Sequence, residues 1–331
     1  MSVRLKFLLV LTCLWTTMSC AADNYGVNPA ARVVVDELVV EEGFNRDELL
    51  EVFAQARRKD SILDAIARPA EKTKPWYEYR AIFLNDEREE QGAEFFARHR
   101  ATLTRAESEF GVPAEIIVAI IGVETYYGRT AGSYRVLDAL STLAFDYPPR
   151  SPFFTSELKH YLILTRDQGM DPTALKGSYA GAMGYGQFMP SSYRNYAIDF
   201  DHDGKIDIWQ NPVDAIGSVA NYFKSHGWHQ GEMVVAAAQA SAKTPDAVFV
   251  KTRDDLKPER TVSQLAADGV LANVELAPNT LATAMKFELN NGYEYWLGLN
   301  NFYVITRYNQ SAMYAMSVYQ LSQRLAARVA R

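Results

Sequence analysis

Apolar residues recur at helical spacing over most of the chain. Two runs with apolar positions three or four residues apart, separated by Gly43, predict a small helical hairpin from Pro29 to about Arg68. A third run, from Asp86 to Phe110, predicts a helical segment whose dense charges face solvent. A last run, from about Ser311 to Arg331, predicts a C-terminal helix with an inward-facing apolar side.

The middle of the chain departs from this pattern twice. Residues 111–230 hold most of the glycines, prolines and tyrosines, which indicates short and irregularly joined helices. From about Gly231 to Leu297, short alternating pieces at Val248–Val250, Val262 and Lys286–Leu289 predict antiparallel strands. The pattern therefore predicts a mainly α protein (α+β) with a small inserted antiparallel β domain.

The first 22 residues are typical of an export signal. Arg4 and Lys6 give a cationic start, Phe7–Trp15 is apolar, and Ser19–Ala22 offers small residues for cleavage. The apolar stretch is shorter than the roughly 20 residues that a membrane-spanning helix needs. We therefore expect a signal peptide over residues 1–22 and a protein exported to the periplasm.

Both cysteines lie inside or beside this segment, so we expect no disulfide in the mature body. Cys20, which follows the small Ser19, fits the lipid-bearing first residue of an outer-membrane lipoprotein. Cleavage after Ala21 or Ala22 would instead give a soluble protein, and both hypotheses stay open.

Composition narrows the class of partner. The 331 residues are 48% hydrophobic and 22% charged, which suits one large domain or two to three smaller ones. The formal net charge of -6 argues against nucleic acid, because phosphate binding needs a face rich in lysine and arginine.

Glu124 is a candidate catalytic acid. The segment Val112–Gly128 is almost wholly apolar, and Pro113 and Gly128 suit the first helical position and the residue past the end. Glu124 continues the apolar helix face that carries Ile117, Ile120 and Ile121. Burial and the negative end of the helix dipole would raise its pKa, as a general acid requires. The alternative is an ordinary, partly buried glutamate.

A second motif is the glycine-rich segment Ser178–Tyr193. Its glycines permit close backbone approach, while Gln187 and Phe188 offer a polar amide beside an apolar platform. Ser191 is placed to cap the next helix. The spacing is not that of a phosphate-binding loop, which needs Gly-Lys followed by Ser or Thr.

Four segments together resemble the membrane-bound lytic murein transglycosylase B family. They are Gly122–Gly128, Ala180–Tyr193, Asp214–Phe223 and Asn301–Asn309. The resemblance runs from about Tyr79 to the C-terminal helix. It implies a lysozyme-like core with a helical N-terminal domain. We accordingly expect domains over residues 23–100 (helical), 101–230 (catalytic core), 231–298 (β-rich) and 299–331 (return to the core).

The resemblance also implies cleavage of peptidoglycan glycan strands by one carboxylic acid, where ordinary glycosidases use two. Glu124 would protonate the oxygen between N-acetylmuramic acid and N-acetylglucosamine, and then take the proton of the muramic C6 hydroxyl, closing a 1,6-anhydro ring. Two other hypotheses stay open. One is a muramidase of the goose-lysozyme type, in which water attacks. The other is a non-catalytic, calcium-dependent peptidoglycan-binding protein.

Sugar contacts follow from the same resemblance. The corresponding positions are Tyr79, Arg150, Ser178, Gln187, Phe188, Tyr222, Tyr308, Asn309 and Tyr314. Aromatic faces suit pyranose rings, and amides and hydroxyls suit N-acetyl groups. Pro149 departs from the expected basic pair, which leaves Arg150 alone to face the substrate's carboxylates. Cell-wall synthesis proteins are candidate partners, and no organic cofactor is implied.

A third motif fits an EF-hand loop, except that its twelfth position is Gln210 where a glutamate is usual. The family's longer loop places the closing carboxylate at Asp214, within residues 199–214. The predicted ligands are Asp199, Asp201, Asp203, Lys205, Asp207 and Asp214. We expect a structural Ca²⁺ ion, with Na⁺ as the alternative ion and a solvated acidic turn as the alternative interpretation.

Overall fold

The computed structural model describes residues 24–67 and 74–330, so the predicted export signal and Cys20 lie outside the described residues. Fourteen α-helices and seven strands occur within these ranges. The helices are α1 (Pro29–Glu42), α2 (Arg46–Gln55), α3 (Asp60–Ile66), α4 (Trp76–Phe83), α5 (Asp86–Arg98), α6 (Arg100–Phe110), α7 (Ala114–Thr125), α8 (Val136–Asp146), α9 (Ser151–Asp167), α10 (Pro190–Tyr196), α11 (Pro212–Ser225), α12 (Val262–Ala267), α13 (Asn300–Tyr308) and α14 (Ala312–Val329). The strands are β1 (Tyr134–Arg135), β2 (Lys176–Gly177), β3 (Val235–Ala240), β4 (Arg260–Thr261), β5 (Val270–Ala272), β6 (Leu281–Leu289) and β7 (Gly292–Gly298).

Asparagine caps mark the starts of the first two helices, and a glycine marks the end of the first. Asn28 and Asn45 accept hydrogen bonds from the backbone amides that open α1 and α2. Gly43 ends α1 in the left-handed conformation (φ 69°), and its amide donates to the carbonyl of Leu38. The predicted hairpin is thus present as α1 and α2, but a third helix, α3, follows it.

Charges on α5 are not all solvated, which corrects the sequence-based expectation. Glu89 is buried and accepts a hydrogen bond of 2.6 Å from Arg324 in α14. Arg88 is half-buried, lies over the ring of Tyr126 at 4.3 Å, and donates to the main-chain carbonyl of Gly122. The predicted single run also breaks at His99, so that it forms two helices, α5 and α6.

An antiparallel sheet with strand order β4-β6-β7-β3-β5 lies between Val235 and Gly298. The predicted strand at Lys286–Leu289 is confirmed as the end of β6, which pairs with β7. The other two predictions were wrong. Val262 begins α12, because Thr261 forms a capping box at this position. Val248 ends a 3₁₀ turn, and Val250 donates to the carbonyl of Ala284 outside the ladder.

Two apolar clusters build the helical part of the molecule. One surrounds α7 with residues of α4, α5, α6, α11, α13 and α14, and the other joins α1, α2 and α3 to α8, α9 and α10. Tyr308 packs against both clusters and therefore lies at the boundary between them. None of the helices in the described ranges combines the length and the apolar character that crossing a membrane would require.

Candidate active site

Glu124 lies in the last turn of α7, a helix buried on almost every side. Ile117, Ile120 and Ile121 are fully buried, whereas Glu124 is half-buried. The helix begins after Pro113, which precedes the first helical residue instead of occupying it, and ends at Thr125, three residues before Gly128. Glu124 therefore lies at the edge of the apolar core.

Strained backbone follows Glu124 directly. Tyr126 and Tyr127 both take positive φ (53° and 61°), a conformation that is uncommon for bulky residues. Thr125 holds this turn, because its hydroxyl donates to the carbonyl of Tyr185 at 2.9 Å and accepts the amide of Gly128 at 3.0 Å. The end of α7 is thereby joined to the glycine-rich segment, which places the first two sequence motifs side by side.

The hydroxyl of Tyr314 in α14 donates a hydrogen bond to Oε1 of Glu124, with an oxygen–oxygen distance of 2.5 Å. Burial, reinforced by the charge of Glu124, raises the pKa of Tyr314 well above the ordinary phenol value. The phenol therefore keeps its proton at neutral pH. It is a fixed donor to the carboxylate, so the structure brings these two predicted residues together.

A cluster of aromatic rings lies near Glu124 and Tyr314, and we call it the aromatic wall. It consists of Phe188, Tyr222, Phe223 and Tyr308. Tyr308 contacts Tyr222, Phe188 and Phe223 with centroid separations of 4.7, 5.9 and 5.8 Å. Its hydroxyl donates to the carbonyl of Gly186 at 2.6 Å, and an added Cβ at Gly186 would lie 2.7 Å from that hydroxyl. Gly186 is thus required for close approach to Tyr308, as the glycine-rich pattern predicted.

Gln187 and Ser178 stabilise the glycine-rich segment itself. Gln187 has positive φ (49°), and its amide nitrogen donates to the carbonyls of Ala131 and Gly184 at 3.1 and 2.9 Å. The Ser178 hydroxyl accepts the amides of Ala180 and Ala182. Ser191 does not cap α10, which begins at Pro190; it hydrogen bonds to Glu157 instead.

The remaining predicted sugar contacts lie in three different places. Tyr79 of α4 is buried and close enough to Tyr314 to influence the phenol pKa of that residue. Asn309 is half-buried and ends α13. Arg150 is exposed, at the start of α9, with its guanidinium over Phe153 and Phe154 at 4.4 and 5.0 Å.

Trp76 is a residue that the motifs did not single out. Its indole donates to Glu294 of β7 at 2.5 Å and its ring packs on Phe287 of β6 at 4.9 Å. Three residues further along α4, Tyr79 lies 6.4 Å from Trp76 between ring centroids. Trp76 therefore contacts both the sheet and Tyr79. Its only sequence signal was an aromatic residue after Pro75, which does not reveal partners more than 200 residues away.

Three of the predicted ion ligands converge in the acidic loop. Carboxylate oxygens of Asp199, Asp201 and Asp203 lie within 4.8 Å of one another. Backbone amides support them: Gly204 donates to Asp199 at 2.8 Å, and Lys205 to Asp203 at 2.8 Å. Carboxylate oxygens at this spacing fit a hard cation such as Ca²⁺.

The other predicted carboxylates are engaged by the backbone. Asp214 is fully buried, and its two oxygens accept the amides of Phe200 and Asp207 at 2.8 Å each. Burial raises the pKa of Asp214. One oxygen of Asp207 accepts the amides of Trp209 and Gln210, both at 2.9 Å. Asp214 and Asp207 thus close the loop onto α11.

A family model described as transglycosylase SLT domain matches residues 27–323. The chain belongs to this family of lytic transglycosylases, which are enzymes that cleave peptidoglycan. Its fold is the lysozyme-like, mainly helical fold of that family. The resemblance inferred from the motifs is thus confirmed, and the hypothesis of a non-catalytic binding protein is set aside.

Three relatives define the place of the chain within the family. It is 46% identical over 312 residues to membrane-bound lytic murein transglycosylase B of Escherichia coli (strain K12), which covers 92% of this chain and 84% of the relative. It is similar to catenated lytic transglycosylase SltB1 from Pseudomonas aeruginosa, with 52% identity, a TM-score of 0.89, and 92% and 100% of the two chains covered. The Escherichia coli lytic transglycosylase Slt35 in complex with calcium matches with 44% identity, a TM-score of 0.85, and 95% and 99% coverage.

Proposed function

We propose that Glu124 acts alone as both acid and base in cleavage of the β-1,4 bond between N-acetylmuramic acid and N-acetylglucosamine. The main observation in support of this assignment is the hydrogen bond from Tyr314 to Glu124. A neutral phenol that donates at 2.5 Å fixes the position of Oε1 and stabilises the carboxylate form of Glu124, which is the form that takes the C6 hydroxyl proton. Glu124 is also half-buried in the last turn of an apolar helix, and burial disfavours the charged form of a carboxyl group, as the acid step requires.

The reaction balances without water. Glu124 gives its proton to the bridging oxygen as the bond from that oxygen to C1 of the muramic residue breaks. The N-acetyl carbonyl oxygen of the same residue bonds to C1 and stabilises the positive charge. The C6 hydroxyl then attacks C1, the N-acetyl group leaves, and the Glu124 carboxylate takes the hydroxyl proton. The products are a 1,6-anhydromuramic end, a free 4-hydroxyl and Glu124 in its starting form.

The aromatic wall supplies the sugar contacts in this proposal. Phe188 and Tyr222 are buried and Tyr308 is half-buried, so in this proposal they contact pyranose rings through the small parts of their rings that stay exposed. Tyr79 and Tyr314 are assigned to the same sugar-binding region beside Glu124. Polar contacts to N-acetyl groups and ring hydroxyls are assigned to Ser178, Gln187 and Asn309. Arg150, which is exposed, is assigned to substrate carboxylates.

Isotopic labelling of the products tests this reaction against muramidase action. Sacculi are digested in water enriched in the heavy oxygen isotope, and the fragments are analysed by mass spectrometry. The proposal predicts muramic ends that are lighter by one water than reducing ends and that carry no heavy oxygen. Reducing muramic ends with one heavy oxygen each would show hydrolysis and overturn the proposal.

We also propose that Asp199, Asp201 and Asp203 hold a structural Ca²⁺ ion, helped by the main-chain carbonyl of Lys205. The three convergent carboxylates support this assignment, as does the calcium complex of the similar Slt35. Asp207 and Asp214 would contribute by fixing the ends of the loop. Without a cation the crowded aspartates repel one another, so the ion would stabilise the lobe that contacts α11.

Export to the periplasm is part of the proposal, because peptidoglycan lies there. The relative named membrane-bound lytic murein transglycosylase B favours a lipid anchor, for which Cys20 is the candidate residue. Metabolic labelling with a radioactive fatty acid tests the anchor: the wild-type chain should be labelled and a Cys20→Ala chain should not. Equal labelling of both chains would exclude Cys20 as the site of the lipid anchor.

Cell-wall synthesis proteins stay candidate partners.

A further inference from the structure

A cavity of about 560 Å³ lies between the sheet, the start of α4 and the start of α14. Its lining includes the apolar side chains of Trp76, Phe287 and Met313. Two of its lining residues lie close in sequence to tyrosines of the proposed active site. Met313 precedes Tyr314, which hydrogen bonds to Glu124, and Trp76 lies three residues before Tyr79. The cavity therefore lies at the starts of the two helices that carry Tyr79 and Tyr314.

The lining of this cavity is basic although the whole chain is acidic. Four basic side chains and one acidic side chain, Glu288, line it, against a net charge of -6 for the protein. Two of the basic groups are paired: Lys286 with Asp246 at 2.9 Å, and Lys74 with Glu78 at 3.8 Å.

The other two basic groups are available to a ligand. Lys251 forms no ion pair within 4.0 Å among the described residues, and Arg253 has only its exposed neighbour Asp254 at 3.8 Å. Their backbone is held in place, because Asp255 accepts the amides of Lys251 and Thr252 at 3.1 and 2.8 Å. The positive charges thus stand on an ordered segment, which lowers the entropy lost when an anion binds.

We infer that this cavity binds the acidic peptide stem of the substrate, with Lys251 and Arg253 contacting its carboxylates. The inference rests on the proposed function, because the stem is attached to the lactyl group of the muramic acid whose bond Glu124 breaks. A stem combines small apolar side chains with free carboxylates, which matches a lining of apolar and basic side chains. The site would favour glycan strands that still carry peptides.

A charge-reversal variant measured on two substrates tests the inference. The variant Lys251→Glu/Arg253→Glu is compared with wild type on sacculi and on glycan strands stripped of stems by an amidase. We expect kcat/KM to fall by about three- to tenfold on stem-bearing strands at low salt, mainly through KM, and to stay unchanged on stripped strands. The loss should shrink as salt screens the charges.

The variant Arg32→Glu/Lys243→Glu is the matched control, because it makes the same change of charge at exposed residues outside the cavity. It should leave both rates as they are in the wild type. Equal losses on both substrates, or no loss on either, would overturn the stem site while leaving the cleavage reaction intact. A wild-type chain that cleaved neither substrate would overturn the proposed function and this inference with it.

Discussion

The phenol oxygen of Tyr314 lies 2.5 Å from Oε1 of Glu124, although 190 positions separate the two residues in the chain. The contact exists because α7 and α14 pack against each other within one apolar cluster, whose fully buried members include Ile117, Val118 and Leu321. The packing of α7 against α14 in the hydrophobic core therefore determines the position of the Tyr314 hydroxyl relative to the Glu124 carboxylate.

Removing this donor should weaken catalysis without unfolding the protein. We expect Tyr314→Phe to lower kcat by about 10- to 100-fold, because a hydrogen bond to a charged group contributes about 1.5–3 kcal/mol. Tyr319→Phe is the control, since Tyr319 lies on the same helix and its ring packs on Trp296 instead. Both variants should melt close to the wild type. A Tyr314→Phe enzyme with normal kcat would show that the phenol has no part in the reaction.

Gly186 and Tyr308 should be energetically coupled. An added methyl group in Gly186→Ala would meet the Tyr308 hydroxyl at 2.7 Å and displace the ring from the wall. Tyr308→Phe removes that hydroxyl and its hydrogen bond to the Gly186 carbonyl. We expect each single variant to lose activity, and the double variant to lose less than the product of the two effects, because the clash is gone. Simple multiplication of the two losses in a double-mutant cycle would refute the coupling.

The sequence predicted α7 and α14, the two helices around Glu124, correctly. Each contains a long apolar run or an apolar face, and such a pattern is enough to predict a buried helix. The pairing of Tyr314 with Glu124 could not be deduced from either run, because it depends on how distant helices pack. The family resemblance placed both residues at the site but did not say that they touch.

Short segments were predicted less well, for local physical reasons. At Val262 a capping box begins a helix where alternation suggested a strand. At Arg88 and Glu89 a charge-rich face is partly buried, because Arg324 and the carbonyl of Gly122 supply partners from distant helices. Composition along one helix cannot reveal such partners.

Removal of the proposed ion should lower stability. A ligand present at 100 times its Kd stabilises by about 2.7 kcal/mol, which corresponds to a Tm change of about 4 °C for 331 residues. We expect a chelator to lower the Tm of the wild type by that order and to leave Asp203→Ala unaffected. Asp64→Ala, an exposed acid on α3, should keep the wild-type response. A Tm indifferent to both calcium and chelator would remove the ion site.

Acid should destabilise the fold through its half-buried histidines. Burial lowers the pKa of His226, which stacks on Tyr222 at 4.0 Å, and it also lowers the pKa of His99 and His160. Because the folded values lie below the unfolded value of about 6.5, the stability is present above that pH and is lost as pH falls through the folded values. We expect Tm to decline between about pH 7 and 5. His226→Gln should reduce the slope, while His229→Gln, at an exposed position, should not. An identical slope in His226→Gln and wild type would exclude the effect.

Glu124→Gln tests the assignment of a single acid and base most directly. Release of 1,6-anhydromuramic products from sacculi is measured for Glu124→Gln, and for Glu115→Gln as a control at the other end of the same helix. We predict that Glu124→Gln loses about 10²–10⁴-fold in rate while it still binds sacculi, and that Glu115→Gln cleaves normally. Anhydro products released by Glu124→Gln at the wild-type rate would contradict the assignment.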